Sequence, residues 1–211
     1  NGSIAVRDSD LHTYGIFMDE TVHTITDAKT LKKLEITDST VLTGDIIGAR
    51  GEYASVEEIV IRGSSIRLNE EYPYNRCTIG GGEKASFGSI DIQNSQIHIP
   101  SPGLNTAIGN GHQAYFNRES RIRIANSQVF VGGAKFGPAI GAAYGSSGGQ
   151  INILIENSTV TAKGGDLRSS TDYIPGIGKN ASGCNTVIGI QILNSTVDSF
   201  RLREKGDTDY V

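Results

Sequence analysis

One pattern recurs along nearly the whole chain and fixes what it can fold into: two apolar residues spaced by one, a small polar pair ending in Ser, then apolar residues spaced by one again. Its seven copies are IAVRDSDLHT (4–13), LEITDSTVLT (34–43), IVIRGSSIRL (59–68), IDIQNSQIHI (90–99), IRIANSQVFV (122–131), ILIENSTVTA (153–162) and IQILNSTVDS (190–199). The serines are Ser9, Ser39, Ser64, Ser95, Ser127, Ser158 and Ser195, at intervals of 25 to 37 residues. An Ile-Gly pair rides between copies at Ile47-Gly48, Ile79-Gly80, Ile108-Gly109, Ile140-Gly141 and Ile177-Gly178. Alternation with period 2 means strands, and a two-residue polar break means a sharp bend between them. No helical periodicity separates the copies, so helical crossovers are excluded. Parallel strands stacked with a period near 30 residues make an all-β solenoid, a parallel β-helix of about seven coils, right-handed by the bias of parallel crossovers.

The same alignment predicts the register. Ile90, Ile92, Ile97 and Ile99, and their counterparts Ile122, Ile124, Val129 and Val131, point to the core. Charges of alternating sign, Arg7, Glu35, Arg62, Asp91, Arg123 and Glu156, point to solvent and support coils about 4.8 Å apart rather than a ligand. Asp8, Asp38, Asn94, Asn126, Asn157 and Asn194 precede the serines, where a residue tolerant of the left-handed conformation is needed; Gly63 takes that place in the third copy. Gly is 27 of 211 residues with 37% hydrophobic side chains, which reads as a β protein rich in turns rather than as disorder. The stretch 19–33 breaks the pattern and is expected to be an insertion or a short helix, and 200–211 is a charged tail. An open solenoid end exposes strand edges, so flanking domains of a larger protein are expected, with 1–211 as one excised β-helix domain.

Charge and hydropathy remove other classes. Nineteen basic against 23 acidic residues give a formal charge of −4, so no nucleic-acid partner is expected. Apolar runs fall far short of the roughly 20 residues a spanning helix needs, so no membrane insertion is expected. The start lacks the features of a signal peptide. The Gly clusters at 80–82 and 141–149 precede neither a helix nor a Lys-Ser or Lys-Thr pair, so they read as tight coil turns and not as phosphate cradles. His12, His23, His98 and His112 are scattered over different coils, and neither a metal nor another cofactor is expected. Cys77 and Cys184 lie about three coils apart, roughly 14 Å, too far for a bridge. The Asn-x-Ser/Thr triplets at Asn157, Asn180 and Asn194 are by-products of the bend.

Residues 137–163, GPAIGAAYGSSGGQINILIENSTVTAK, resemble a Gly-rich repeat of bacterial surface and secreted proteins. Its general form is A-I-G-G-G-Y-G, a Gly pair, an alternating strand, then T-V-T-A. The likeness is best over 105–186, with TAIGNG (106–111) and CTIGGG (77–82) carrying the Ile-Gly element. The resemblance implies a right-handed parallel β-helix on a bacterial surface or in its secretions, in company with polysaccharide binding or adhesion. It brings no catalytic motif.

Insertions on one face are where a repeat scaffold places function. The longest are NEEYPYNRCT (69–78) and KGGDLRSSTDYIPG (163–176). They supply Glu70, Glu71, Tyr72, Tyr74 and Arg76, and Asp166, Arg168 and Tyr173. Rings to stack on a pyranose and charged forks for hydroxyls or carboxylates are what sugar recognition uses. Tyr115, with Phe116 and Tyr144, is expected to extend that strip. The function expected is therefore a non-catalytic, extracellular or cell-surface module that binds polysaccharide or host glycan along a loop-lined face. Two alternatives stand beside it: a polysaccharide lyase or glycoside hydrolase, whose acids would converge across a bond, and a structural stalk or adhesin domain without sugar preference.

Overall fold

The computed structural model describes residues 2–19, 30–69, 79–100, 105–115, 118–133, 137–165, 174–180 and 183–200. The chain runs through seven coils. The first holds β1 (Ser3–Arg7), β2 (Asp10–Thr13) and β3 (Ile16–Asp19); the second holds β4 (Thr30–Thr37), β5 (Thr40–Thr43) and β6 (Ile47–Arg50). The third and fourth hold β7 (Ser55–Arg62), β8 (Ser65–Leu68) and β9 (Ile79–Gly81), then β10 (Ser86–Gln93), β11 (Gln96–Ile99) and β12 (Ile108–Asn110). The fifth and sixth hold β13 (Glu119–Ala125), β14 (Gln128–Val131) and β15 (Ile140–Ala142), then β16 (Gln150–Glu156), β17 (Thr159–Lys163) and β18 (Ile177–Lys179). The seventh holds β19 (Val187–Leu193) and β20 (Thr196–Phe200).

Equivalent strands pair in parallel from coil to coil and form three sheets. Sheet A runs β1-β4-β7-β10-β13-β16-β19, sheet B runs β2-β5-β8-β11-β14-β17-β20, and sheet C runs β3 through β18. This is an all-β parallel β-helix of seven coils. The register is that of the sequence repeat: Ile90 pairs with Ile59 and Ile122, and Ile97 with Ile66 and Val129. Ile90, Ile92, Ile97, Ile99, Ile122, Ile124, Val129 and Val131 are all buried. The third sheet is more than a return: the Ile-Gly pairs are themselves strands, three or four residues long. Sheet A strands also start earlier than the repeat, so Thr30–Lys33, expected within the break at 19–33, belong to β4, while 20–29 lie outside the described residues.

Two corners are built by close contact between coils. At the bend from sheet A to sheet B, Asp8, Asp38, Gly63, Asn94, Asn126, Asn157 and Asn194 all take φ between 47° and 59°, the left-handed conformation expected of them. The serine that follows fills a role the sequence did not reveal. Each Ser Oγ donates to the carbonyl two residues back and, from Ser39 onward, accepts the N–H of the serine one coil earlier, as Ser95 does with Gln93 (2.6 Å) and Ser64 (3.2 Å). The ladder runs unbroken from Ser9 to Ser195 and satisfies an amide that the bend would leave unpaired. In sheet C the glycines of the Ile-Gly pairs stack. Gly48, Gly80, Gly109 and Gly141 each have φ between 135° and 149°, and a Cβ there would collide with the carbonyl oxygen of the next glycine in the stack.

Candidate functional site

Eight of the nine expected ligand residues, Glu70, Glu71, Tyr72, Tyr74, Arg76, Asp166, Arg168 and Tyr173, lie outside the described residues, as does Phe116. The strands that lead into their segments are described. β8 ends at Leu68 and β17 at Lys163, so both insertions leave sheet B, in coils three and six. Tyr115 is placed elsewhere. It sits past the far edge of sheet C, in the turn that leads back to sheet A, bridged to Ser147 and 52% exposed. There it lines a groove of about 350 Å³ with Glu52, Tyr53, Lys84 and Gln113. Tyr144 is on the equivalent turn of the next coil, 39% exposed and stacked at 5.7 Å on His112. Sheet C therefore separates these rings from the roots of the two insertions.

Between the coils that carry those insertions, the outer face of sheet B forms an open groove of about 670 Å³. Because side chains alternate along each strand, two columns face outward. One reads Asp10, Thr40, Ser65, Gln96, Gln128, Thr159, Thr196; the other reads His12, Leu42, Arg67, His98, Phe130, Thr161, Asp198. The groove is lined by the members of coils three to six, with Ile97 and Val129 as its floor. His98 and Phe130 stack with centroids 5.0 Å apart and planes 15° from parallel. The Lys163 ammonium rests 4.7 Å from the centre of the Phe130 ring and 5.9 Å from that of Phe200. The rings face each other along the stack and turn their edges outward, between hydroxyls and amides that recur at coil spacing, an arrangement that can meet a sugar chain lying along the stack.

The sequence contained this column. The residue three after each repeat serine is its whole membership, yet the alignment noted this outward position only at His12, Leu42, Arg67 and His98, and only to set aside a shared metal. Among the described residues, no group of three His, Cys, Asp or Glu side chains converges.

Sheet A has the opposite electrostatic character. Its charges form the expected ladder, running diagonally between two neighbouring columns. Arg7 pairs with Glu35, and Arg62 and Arg123 both reach Asp91, at 3.4 and 3.1 Å. Arg123 Nε also donates to Glu156 Oε1 at 2.7 Å. The hydrogen bond from Arg7, then that from Lys33, holds the Glu35 carboxyl below the usual carboxylate range. Partial burial lowers the pKa of Arg123, but Glu156 and Asp91 more than reverse this and leave it raised. The Glu35 carboxyl is held ionised by its partners, and the ladder as a whole joins each Arg to a carboxylate of a neighbouring coil, which suits support between coils and not proton transfer.

Compared with family models, curated proteins and solved structures, the chain matches none.

Proposed function

We propose that the protein is a non-catalytic polysaccharide-binding module whose binding face is the outer surface of sheet B. The single observation behind this reading is the His98–Phe130 ring stack, set beside a column of Ser, Thr and Gln side chains that repeats with the coils. Coils about 4.8 Å apart match the scale of one sugar unit, so successive units meet successive coils. The insertions of coils three and six leave from the two ends of this groove, so the sugar-binding residue types at Glu70, Tyr72, Asp166 and Tyr173 belong to the same proposal. The Gly-rich resemblance supports a bacterial surface or secreted setting. Ile190 and Ile192, partners in register of buried Ile153 and Ile155, are 48% and 45% exposed at the last coil, which supports flanking domains in a larger chain.

Affinity electrophoresis in native gels containing pectins, alginate, xylan, glucans or glycosaminoglycans tests the reading. Retardation with the polymer left intact is expected in at least one gel. Phe130→Ala should weaken it several-fold to tenfold, since a stacked ring contributes about 0.5–1.5 kcal/mol beyond its buried area. Unretarded migration in every gel overturns the reading, and a cleared zone around the band replaces it with a depolymerase.

A further inference from the structure

We infer that the glycan taken by sheet B is anionic, bearing carboxylate or sulfate groups; this inference rests on the reading of that face as a polysaccharide site. The argument is a contrast between two faces of one solenoid. The charged ladder of sheet A is neutralised internally, because Arg7, Arg62 and Arg123 are each held by a carboxylate one coil away. Over coils three to six the outward columns of sheet B hold Arg67, His98 and, at the strand end, Lys163, with no carboxylate in either column. Among the described residues neither Arg67 nor Lys163 forms an ion pair. The acids of these columns stand outside the groove, Asp10 in the first coil and Asp198 in the seventh.

In a chain of net charge −4, the stretch of four coils whose outward sheet B columns hold no carboxylate and end in Arg67 and Lys163 makes a local field of the opposite sign on that face. The two permanent cations serve different parts. Arg67 is exposed, and its guanidinium fork matches a carboxylate or sulfate with two parallel hydrogen bonds. Lys163 lies against Phe130, a contact that fixes its ammonium without neutralising it. Three coils separate them, roughly 14 Å along the stack, with the ring pair between. Anionic groups a few sugar units apart on one extended chain would reach both while an intervening unit lies against the outward edges of the His98–Phe130 pair. A single-stranded nucleic acid is the other anionic chain with flat rings. The net negative charge and the two coils whose sheet B columns hold no permanent cation between Arg67 and Lys163 favour the glycan, whose charges need not fall on every unit.

The test compares binding to polygalacturonate with its fully methyl-esterified form, and to dextran sulfate with dextran. Each is run at low salt and at about 1 M salt, where the screening length is about 3 Å. The expected result is at least tenfold tighter binding to one anionic polymer than to its neutral counterpart, lost at high salt. The pair that shows the preference identifies carboxylate or sulfate as the group read. Arg67→Gln with Lys163→Gln should abolish the preference while leaving residual binding, whereas Phe130→Ala should weaken charged and neutral polymers alike. Equal binding to the charged and neutral members of both pairs, or a preference that survives the double variant, overturns the inference and leaves polysaccharide binding standing. Absence of binding to all four polymers overturns both. Single-stranded DNA bound as tightly as the better anionic polymer overturns the glycan assignment in favour of a phosphate-binding face.

Discussion

Ser95→Ala is the most direct test of how the coils are held together, because the structure supplies its control. Ser95 is buried, its hydroxyl donates to the Gln93 carbonyl at 2.6 Å, and it accepts the Ser64 amide at 3.2 Å. Alanine removes both bonds and leaves the Ser64 N–H facing a methyl group in a corner sealed from water. A buried polar group left unpaired in this way costs about 1–3 kcal/mol. Taking about 2 kcal/mol, and 2–4 °C per kcal/mol for a chain of this size, Tm should fall by roughly 4–8 °C. Ser9 makes the same bond to its own carbonyl, that of Arg7, but no coil precedes it in the described ladder and it is exposed. Ser9→Ala should therefore stay within about 0.5 kcal/mol of the parent. Equilibrium urea unfolding with both slopes held to the parent value measures the difference. Equal losses in the two variants, or no loss at Ser95, would refute the claim that the hydroxyls are the acceptors that join one bend to the next.

Two further outcomes follow from the same geometry. Gly109→Ala should cost at least about 3 kcal/mol, because it combines a φ of 136° with a collision against the Gly141 carbonyl. Gly178→Ala has a similar φ of 139° but meets only a Pro175 side-chain carbon at 3.2 Å, so it should lose distinctly less; thermal melts of the pair separate collision from conformational strain. Burial pushes the His112 imidazole below its usual pKa, with Lys84 acting in the same direction and Glu83 opposing. The unfolded chain then takes up a proton first as pH falls through about 6.5, so stability is fully present above that pH and declines toward the lower folded value. Tm followed from pH 7.5 to 5 should show this decline flattened in His112→Gln; the same slope in both proteins would refute it.

The parts of this fold legible in the sequence are those set by a periodic constraint. Ile90 and Ile122 could be assigned to the core because alternation fixes the face of every second residue. Asn94 and Asn126 could be assigned the left-handed conformation because few residue types tolerate it, and the backbone angles of 49° agree. The serine ladder was hidden because a hydroxyl is equally common at exposed turns, and nothing in one copy reveals that its partner is the amide of another. The strand character of Ile-Gly was hidden for a related reason: three residues with a central glycine carry no alternation, and they become a strand only through pairing with their copies. The candidate site was missed on Phe130, Arg67 and Lys163 for a third reason. The column of Arg67 and Phe130 has no shared residue type, and Lys163 lies beyond it at the end of β17, so a search for repetition passes over all three. Attention to insertions led instead to 69–78 and 163–176, whose roots border the same groove.

That heterogeneity separates the columns by what constrains them. The Ser corner and the Gly stack are uniform because each member must fit the copy above and the copy below, and one exception would break contacts on both sides. The outward column through Ser65, Gln96, Gln128 and Thr159 is uniform in kind, all neutral hydrogen-bonding groups, without being uniform in identity. The column through Arg67, His98, Phe130 and Thr161 is uniform in neither, although its backbone environment is the same in every coil. Contact between coils accounts for the His98–Phe130 stack and for the Lys163 ammonium on Phe130, but not for the exposed Arg67. The proposed ligand laid along the stack would account for both columns. On that reading the neutral column meets hydroxyls that recur on every sugar unit and the mixed column distinguishes one unit from the next, so register along the polymer would be set by Arg67 and Phe130 rather than by the repeat.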